Sequence, residues 1–226
     1  MTWRRAIVIG ASGGIGAAVA ERLEAQGTQV DRISRRLTGF ELVDEDSIAA
    51  AARAAAAMGQ ADLVFVATGD LTIDGVGPEK SLRALDPAAM ARQFAANAIG
   101  PALVAKHFLQ LLPREHPSVF AVLGARVGSI GDNRLGGWYS YRASKAALVQ
   151  FVRTLSIELA RTHPQAACVA LHPGTVATAL SAPFSAGQER VFSPDEAAGH
   201  LLQVLANLAP ADSGGHFDWN GSLIAP

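Results

Sequence analysis

The chain has 226 residues, of which 50% are hydrophobic and 17% are charged, and its formal net charge is −1. This composition excludes a disordered chain and gives no basic surface for nucleic acid or an anionic membrane. The one cysteine, Cys168, excludes an internal disulfide and a cysteine-based zinc site. No apolar run reaches the length of a membrane span, and the apolar residues begin too close to Met1 for a signal peptide. We therefore expect one cytoplasmic domain without a bound metal.

Short apolar runs alternate with helical segments along the whole chain. Strands are predicted over residues 6–9, 28–33, 40–43, 62–67, 118–123, 167–171 and 216–219. Helices are predicted over residues 14–26, 48–58, from 86 past 97, over 141–161 and from 193 onward. Nearly continuous apolar strands separated by helices indicate a parallel sheet with helices on both faces. The expected fold class is therefore α/β, a doubly wound sheet of about seven strands whose ligand lies beyond their carboxyl ends.

A glycine-rich loop follows the first predicted strand and opens the first helix. Glycines allow the backbone to approach a pyrophosphate, and a helix N-terminus supplies free N–H groups and partial positive charge. A merely structural turn would also be rich in glycine, but the position between strand and helix favours a dinucleotide site. The residues expected at this site are Gly10, Ser12, Gly13, Gly14, Ile15 and Gly16.

A second motif begins the long predicted helix, where Tyr141 and Lys145 are four residues apart and share one helix face. A lysine ammonium beside a phenol lowers the tyrosine pKa, so Tyr141 can exchange a proton with a substrate oxygen. This Y-x-x-S-K motif and the G-x-x-x-G-x-G spacing of the loop resemble the short-chain dehydrogenase/reductase family. The resemblance implies one Rossmann domain over residues 1–226, with a cofactor half of about 1–115 and a catalytic and substrate half of about 116–226. It also implies hydride transfer between a nicotinamide and a small-molecule carbonyl or alcohol.

The resemblance extends to further site residues. Asn97 matches the helix asparagine that, with Tyr141 and Lys145, forms a proton relay and contacts the cofactor. The segment that follows the sixth predicted strand matches the family segment that holds the nicotinamide carboxamide. Its matching residues are Pro173, Gly174, Val176 and Thr178. Five more match positions that contact the rest of the cofactor, with departures from the family pattern: Glu41, Leu42, Ala67, Thr68 and Gly69.

Three segments, 126–130, 136–139 and 217–221, resemble the C-factor-like branch of the family, which includes cell–cell signalling proteins and carbonyl reductases. We expect Ala125, Trp138 and Tyr139 in the substrate pocket, under an apolar lid over residues 179–192. The family's catalytic serine is absent: the residues that follow place Ala125 at its position, whereas the usual family spacing from Tyr141 places Gly128 there. Ser129 is the nearby hydroxyl that could substitute for it. A dinucleotide-binding signalling or scaffold protein with weak or no turnover is therefore the alternative function.

The end of the second predicted strand indicates which cofactor is preferred. NAD-specific members of the family place an acidic residue there, but this chain has Ser34 followed by Arg35 and Arg36. A hydroxyl and a cation suit a 2′-phosphate, so we expect NADP(H) to be preferred over NAD(H).

We also expect a homodimer or homotetramer through the helices over 88–112 and 141–161. Apolar residues of the second helix are spread over more than one face: Leu148, Val149, Val152 and Leu155.

Overall fold

The computed structural model describes residues 3–178 and 190–226. A parallel sheet forms its centre and contains the strands β1 (Arg5–Ile9), β2 (Gln29–Ile33), β3 (Leu63–Val66), β4 (Ser118–Leu123), β5 (Ala166–His172) and β6 (His216–Asp218). Their order is β2-β1-β3-β4-β5-β6, and each neighbouring pair is parallel. The chain proceeds outward from β1 in both directions, so the strand order reverses between β1 and β3. The doubly wound parallel sheet is confirmed, with six strands in the described part of the chain.

Helices cover both faces of this sheet. They are α1 (Gly14–Ala25), α2 (Arg35–Thr38), α3 (Glu45–Ala56), α4 (Pro87–Phe94), α5 (Gly100–Phe108), α6 (Tyr139–Leu159) and α7 (Pro194–Ala206). Alternate residues of a strand face opposite layers. In β1, Ile7 and Ile9 pack in the core under α3, α5 and α6, whereas Ala6 and Val8 pack under α1 and α7. Within the two described ranges, no helix is long and apolar enough to cross a membrane.

The predicted strand over residues 40–43 is wrong. The segment forms a turn that leads into α3, where the Glu41 N–H donates to the Ser47 hydroxyl at 2.9 Å. Its apolar side chains are nevertheless used in packing. Phe40 is buried in the core layer, and Leu42 packs so closely on Gly100 that a Cβ there would lie 2.6 Å from the leucine side chain. A short apolar run thus covers the edge of a layer without pairing with the sheet.

The apolar residues of α6 are explained by the core. Leu148 and Val152 are buried there, and Val149 and Leu155 are half-buried and pack against the same cluster. These four residues therefore do not supply the second apolar face that was expected to mediate association.

Candidate active site

The carboxyl ends of β1, β3, β4 and β5 open into a cleft of about 580 Å³. Its lining consists of Gly13, Gly14, Ile15, Gly16, Ala67, Thr68, Gly69, Asp70, Thr72, Leu123, Gly124, Tyr141, Lys145, Pro173 and Thr178. All of these except Asp70, Thr72, Leu123 and Gly124 are site residues predicted from the sequence. The parallel sheet brings them together because its strands all end at this edge.

The glycine loop is packed too closely for side chains. Gly10 has a φ of +86°, and a Cβ there would lie 2.6 Å from the Ala67 carbonyl oxygen. A Cβ on Gly16 would overlap the Gly10 carbonyl. Gly13 precedes α1 and has no side chain to cap the helix, so the first N–H groups of α1 have no side-chain cap where the helix begins at the cleft. Ser12 is half-buried beside this loop and does not line the cleft.

Lys145 is buried and its Nζ donates a hydrogen bond to the Leu123 carbonyl at 2.9 Å. The same Nζ lies 5.9 Å from the centre of the Tyr141 ring. Burial lowers the pKa of Lys145 to about 8, and the nearby Asp70 carboxylate opposes this shift.

The pKa of Tyr141 is raised well above its ordinary value, first by burial and then by the charge of Asp70. The shift is upward, so the expected lowering by Lys145 is not seen in the protein alone, and burial, which disfavours the phenolate, is the larger cause.

Asn97 lies behind the cleft, in a π turn over Ala95–Ile99 that joins α4 to α5. Its amide accepts from the Asp70 N–H at 2.9 Å and donates to the Asp70 carbonyl at 2.8 Å. Its Nδ2 also donates to Gln93, whose own amide donates to the Leu71 carbonyl. Asn97 therefore holds the backbone that follows β3.

Asp70 was missed in the sequence analysis, although its position immediately after Gly69 was a usable signal. A carboxylate in the loop that follows a strand of a parallel sheet lies at the ligand-binding edge. Burial raises the pKa of Asp70, while Arg35 and Lys145 oppose the shift.

Ser129, the expected replacement for the missing hydroxyl, does not line the cleft that Tyr141 lines. Its Oγ accepts from the Asp132 N–H at 3.0 Å and donates to the Pro226 carbonyl at 3.3 Å. It lines a separate cavity of about 940 Å³ formed by another face of α6 and the last residues of the chain. Ala125 directly follows Gly124 of the cleft and starts the short helical turn Arg126–Gly128.

The residues expected near the adenosine half of a cofactor surround the carboxyl end of β2, outside the cleft lining. The Ser34 hydroxyl caps α2 by accepting from the Leu37 N–H at 3.2 Å. Arg35 is exposed and its Nε donates to Glu41 at 3.1 Å. Arg36 is exposed, and Leu42 packs on Gly100 as described above.

The segment after β5 closes the other end of the cleft. Pro173 and Thr178 line the cleft, whereas Val176 is buried and bridges to Phe192. Gly174 has a φ of +77°, and a Cβ there would lie 2.7 Å from the Phe192 ring. Residues 179–189 of the expected lid lie outside the described residues.

Two aromatic residues directly precede the Y-x-x-S-K motif. The Trp138 ring meets the Tyr141 ring edge-on, with 6.1 Å between their centres. Tyr139 begins α6 and is partly exposed, and it does not line the cleft.

Comparison with known proteins agrees with this geometry. The family model described as short chain dehydrogenase matches residues 36–189. The chain is 31% identical to the 1-hydroxy-2-glutathionyl-2-methyl-3-butene dehydrogenase of Rhodococcus sp. (strain AD45) over 231 residues, which cover 96% of this chain and 97% of that protein. It is 38% identical to the C-signal protein of Myxococcus xanthus over 141 residues, which cover 62% of this chain and 80% of that protein.

Solved structures extend the comparison to the whole fold. The NADPH-bound carbonyl reductase from chicken fatty liver superposes with a TM-score of 0.85 and 25% identity, covering 99% of this chain and 94% of that chain. The carbonyl reductase Sniffer of D. melanogaster superposes with a TM-score of 0.84 and 19% identity, covering 99% of each chain, and shows the shared fold alone.

Sequence motifs, sheet order and relatives thus agree: the chain belongs to the short-chain dehydrogenase/reductase family of oxidoreductases, in its C-factor-like branch.

Proposed function

We propose that this protein is an NADP(H)-dependent oxidoreductase that transfers hydride between the nicotinamide and a carbonyl or alcohol substrate, with Tyr141 as the acid or base. One observation carries the proposal: Tyr141 and Lys145 open into the same cleft as the glycine loop and the N-terminus of α1. Proton transfer and dinucleotide binding are thereby available at one place. Reduction of a carbonyl by a nicotinamide needs both.

The residues of the cleft fit such a cofactor. The uncapped first turn of α1 suits a pyrophosphate, because its N–H groups and dipole favour an anion. The Thr68 hydroxyl is buried without a hydrogen-bond partner within the described residues, so a polar ligand group would satisfy it. Pro173, Val176 and Thr178 would hold the nicotinamide carboxamide, and Lys145 would bind the adjoining ribose. When bound, the cofactor supplies or accepts the hydride.

The side chains of the protein itself handle the proton. Tyr141 donates its phenolic proton to the oxygen of a carbonyl substrate, and its raised pKa keeps that proton in place at neutral pH. Lys145, held by the Leu123 carbonyl, places a positive charge near the phenolate that remains after donation. Asn97 contributes indirectly by holding the backbone of Asp70. In the reverse direction the same tyrosine oxygen would accept the proton of an alcohol substrate.

A dinucleotide-binding signalling or scaffold protein with weak or no turnover is the second candidate. It is favoured by Ala125, which has no hydroxyl, and by the hydrogen bonds that direct Ser129 elsewhere. The C-signal protein, by its name, is a relative with a signalling role. Consumption of NADPH with a panel of aldehydes, quinones and ketones separates the two candidates.

The preference for NADP(H) is supported by the end of β2. Ser34 stands where an acidic residue would bind the ribose hydroxyls of NAD, and Arg35 and Arg36 add positive charge beside it. Arg35 pairs with Glu41 at the surface, where a 2′-phosphate can compete for its guanidinium.

We propose, in addition, that the protein is a homodimer or homotetramer. The basis is the exposed apolar side chains around α5 and α6, namely Ile99, Phe151 and Ile157. Light scattering at micromolar concentration should give a mass of two or four copies, and the mass of one copy would exclude this assembly.

The Tyr141→Phe variant tests the central proposal. It keeps the ring against Trp138 and removes the phenolic proton donor, so NADPH-dependent carbonyl reduction should fall by about a hundredfold or more. NADPH affinity, measured by fluorescence titration, should change little. If turnover survives this change, Tyr141 is not the proton donor.

The hydroxyl at position 125 gives a second test. Ala125→Ser restores a donor for the developing negative charge on the substrate oxygen, so kcat should rise, by up to about a hundredfold. Ser129→Ala is the matched control and should leave kcat unchanged, because the Ser129 hydroxyl binds Asp132 and Pro226. A large loss of kcat in Ser129→Ala would return Ser129 to the mechanism.

The Arg35→Ala variant tests cofactor choice. Losing one charge-assisted hydrogen bond to the 2′-phosphate should raise the Kd of NADPH by about tenfold or more and leave that of NADH nearly unchanged. Arg161→Ala, an exposed arginine beyond the end of α6, should affect neither cofactor. Equal weakening of both cofactors by Arg35→Ala would show that Arg35 does not bind the 2′-phosphate.

A further inference from the structure

The catalytic helix α6 begins without a local cap. Its first turn contains no acidic side chain, and the residue before it is Trp138, whose indole can only donate hydrogen bonds. A helix N-terminus leaves N–H groups that need an acceptor, and Tyr141 lies within that first turn. Something outside the helix must therefore satisfy these groups if Tyr141 is to be held firmly.

Glu79 supplies the missing acceptor from 61 residues earlier in the chain. Its side chain is buried, and Oε2 accepts from the Ser140 N–H at 3.1 Å. The Ser140 hydroxyl donates to Oε1 of the same carboxylate, and the Trp138 N–H donates to the Glu79 backbone carbonyl. Burial by itself would raise the pKa of Glu79, but these hydrogen bonds hold it below its ordinary value, so the carboxylate is charged. A negative charge there also complements the positive end of the helix dipole.

The same contact restrains an unfavourable backbone conformation. Trp138 has a φ of +52°, in the left-handed region that bulky residues rarely adopt. Gly136 and Gly137 before it also have positive φ, so the chain enters α6 through a left-handed turn. The hydrogen bond to the Glu79 carbonyl holds Trp138 in this conformation, and there its ring contacts Tyr141.

We propose that Glu79 is a positioning residue for Tyr141: its carboxylate caps α6, and its carbonyl fixes Trp138 against the tyrosine ring. The role rests on the proposed function of Tyr141 as proton donor. Glu79 itself does not line the cleft, so it acts through the start of the helix and not on the substrate.

Three variants weaken the contact between Glu79 and the start of α6 to different extents. Glu79→Ala removes both side-chain acceptors, Glu79→Gln keeps an acceptor without the charge, and Ser140→Ala removes the hydroxyl bond alone. In Glu79→Ala, kcat for carbonyl reduction at saturating NADPH should fall about tenfold or more, since misplacing a reacting group by about 1 Å costs up to about a hundredfold. Glu79→Gln should recover part of kcat, and the Kd of NADPH should stay within about twofold in all three. Glu115→Ala, an exposed glutamate, is the matched control and should match the unmodified protein.

Amide hydrogen exchange supplies a readout that needs no substrate. Exchange at Trp138 and Ser140 should accelerate in Glu79→Ala and Glu79→Gln while the strands remain protected. If the unmodified protein reduces no carbonyl, the proposed function fails, but the exchange data still decide whether Glu79 caps α6. If Glu79→Ala does not fold, Glu79→Gln and Ser140→Ala carry the test. An unchanged kcat with unchanged exchange overturns the proposal, and so does a loss of kcat accompanied by faster exchange along the whole chain and weaker NADPH binding.

Discussion

The buried ammonium of Lys145 is the constraint around which the site is arranged. A charge removed from water has to be stabilised by fixed dipoles or an opposite charge. The Leu123 carbonyl at the end of β4 accepts its hydrogen bond, and Asp70 after β3 contributes negative charge. Close approach to this lysine also requires glycine. A Cβ at Gly69 would lie 3.0 Å from Nζ, and one at Gly128 would lie 2.8 Å from the Lys145 backbone.

The electrostatic balance at Tyr141 follows from that arrangement. Burial and the charge of Asp70 both disfavour the phenolate, and the Lys145 ammonium lies 5.9 Å from the centre of the ring. A raised pKa keeps the phenol protonated, so donation of its proton requires that the phenolate left behind be stabilised.

Much of the site could be predicted from the sequence because its motifs are local. The glycine loop from Gly10 to Gly16 is a single short segment, and Tyr141 and Lys145 are one helical turn apart. The parallel sheet then brings both motifs to one edge. The roles of residues whose partners are distant in the chain were harder to predict from the sequence. Ser129 is near Tyr141 in the chain, but its hydroxyl is bound by Asp132 and Pro226. Proximity in sequence therefore gave no information about its orientation.

The sequence by itself determined the doubly wound α/β class and the family, since strand periodicity, glycine spacing and the Y-x-x-S-K motif are written in consecutive residues. Only the tertiary structure decided that residues 40–43 pack on a helix instead of pairing with the sheet. It alone brought Asp70 beside Lys145 and Glu79 under the first turn of α6. The physical reason is that apolar packing and long-range hydrogen bonds depend on which segments meet in space, and residues 61 positions apart carry no local pattern that joins them.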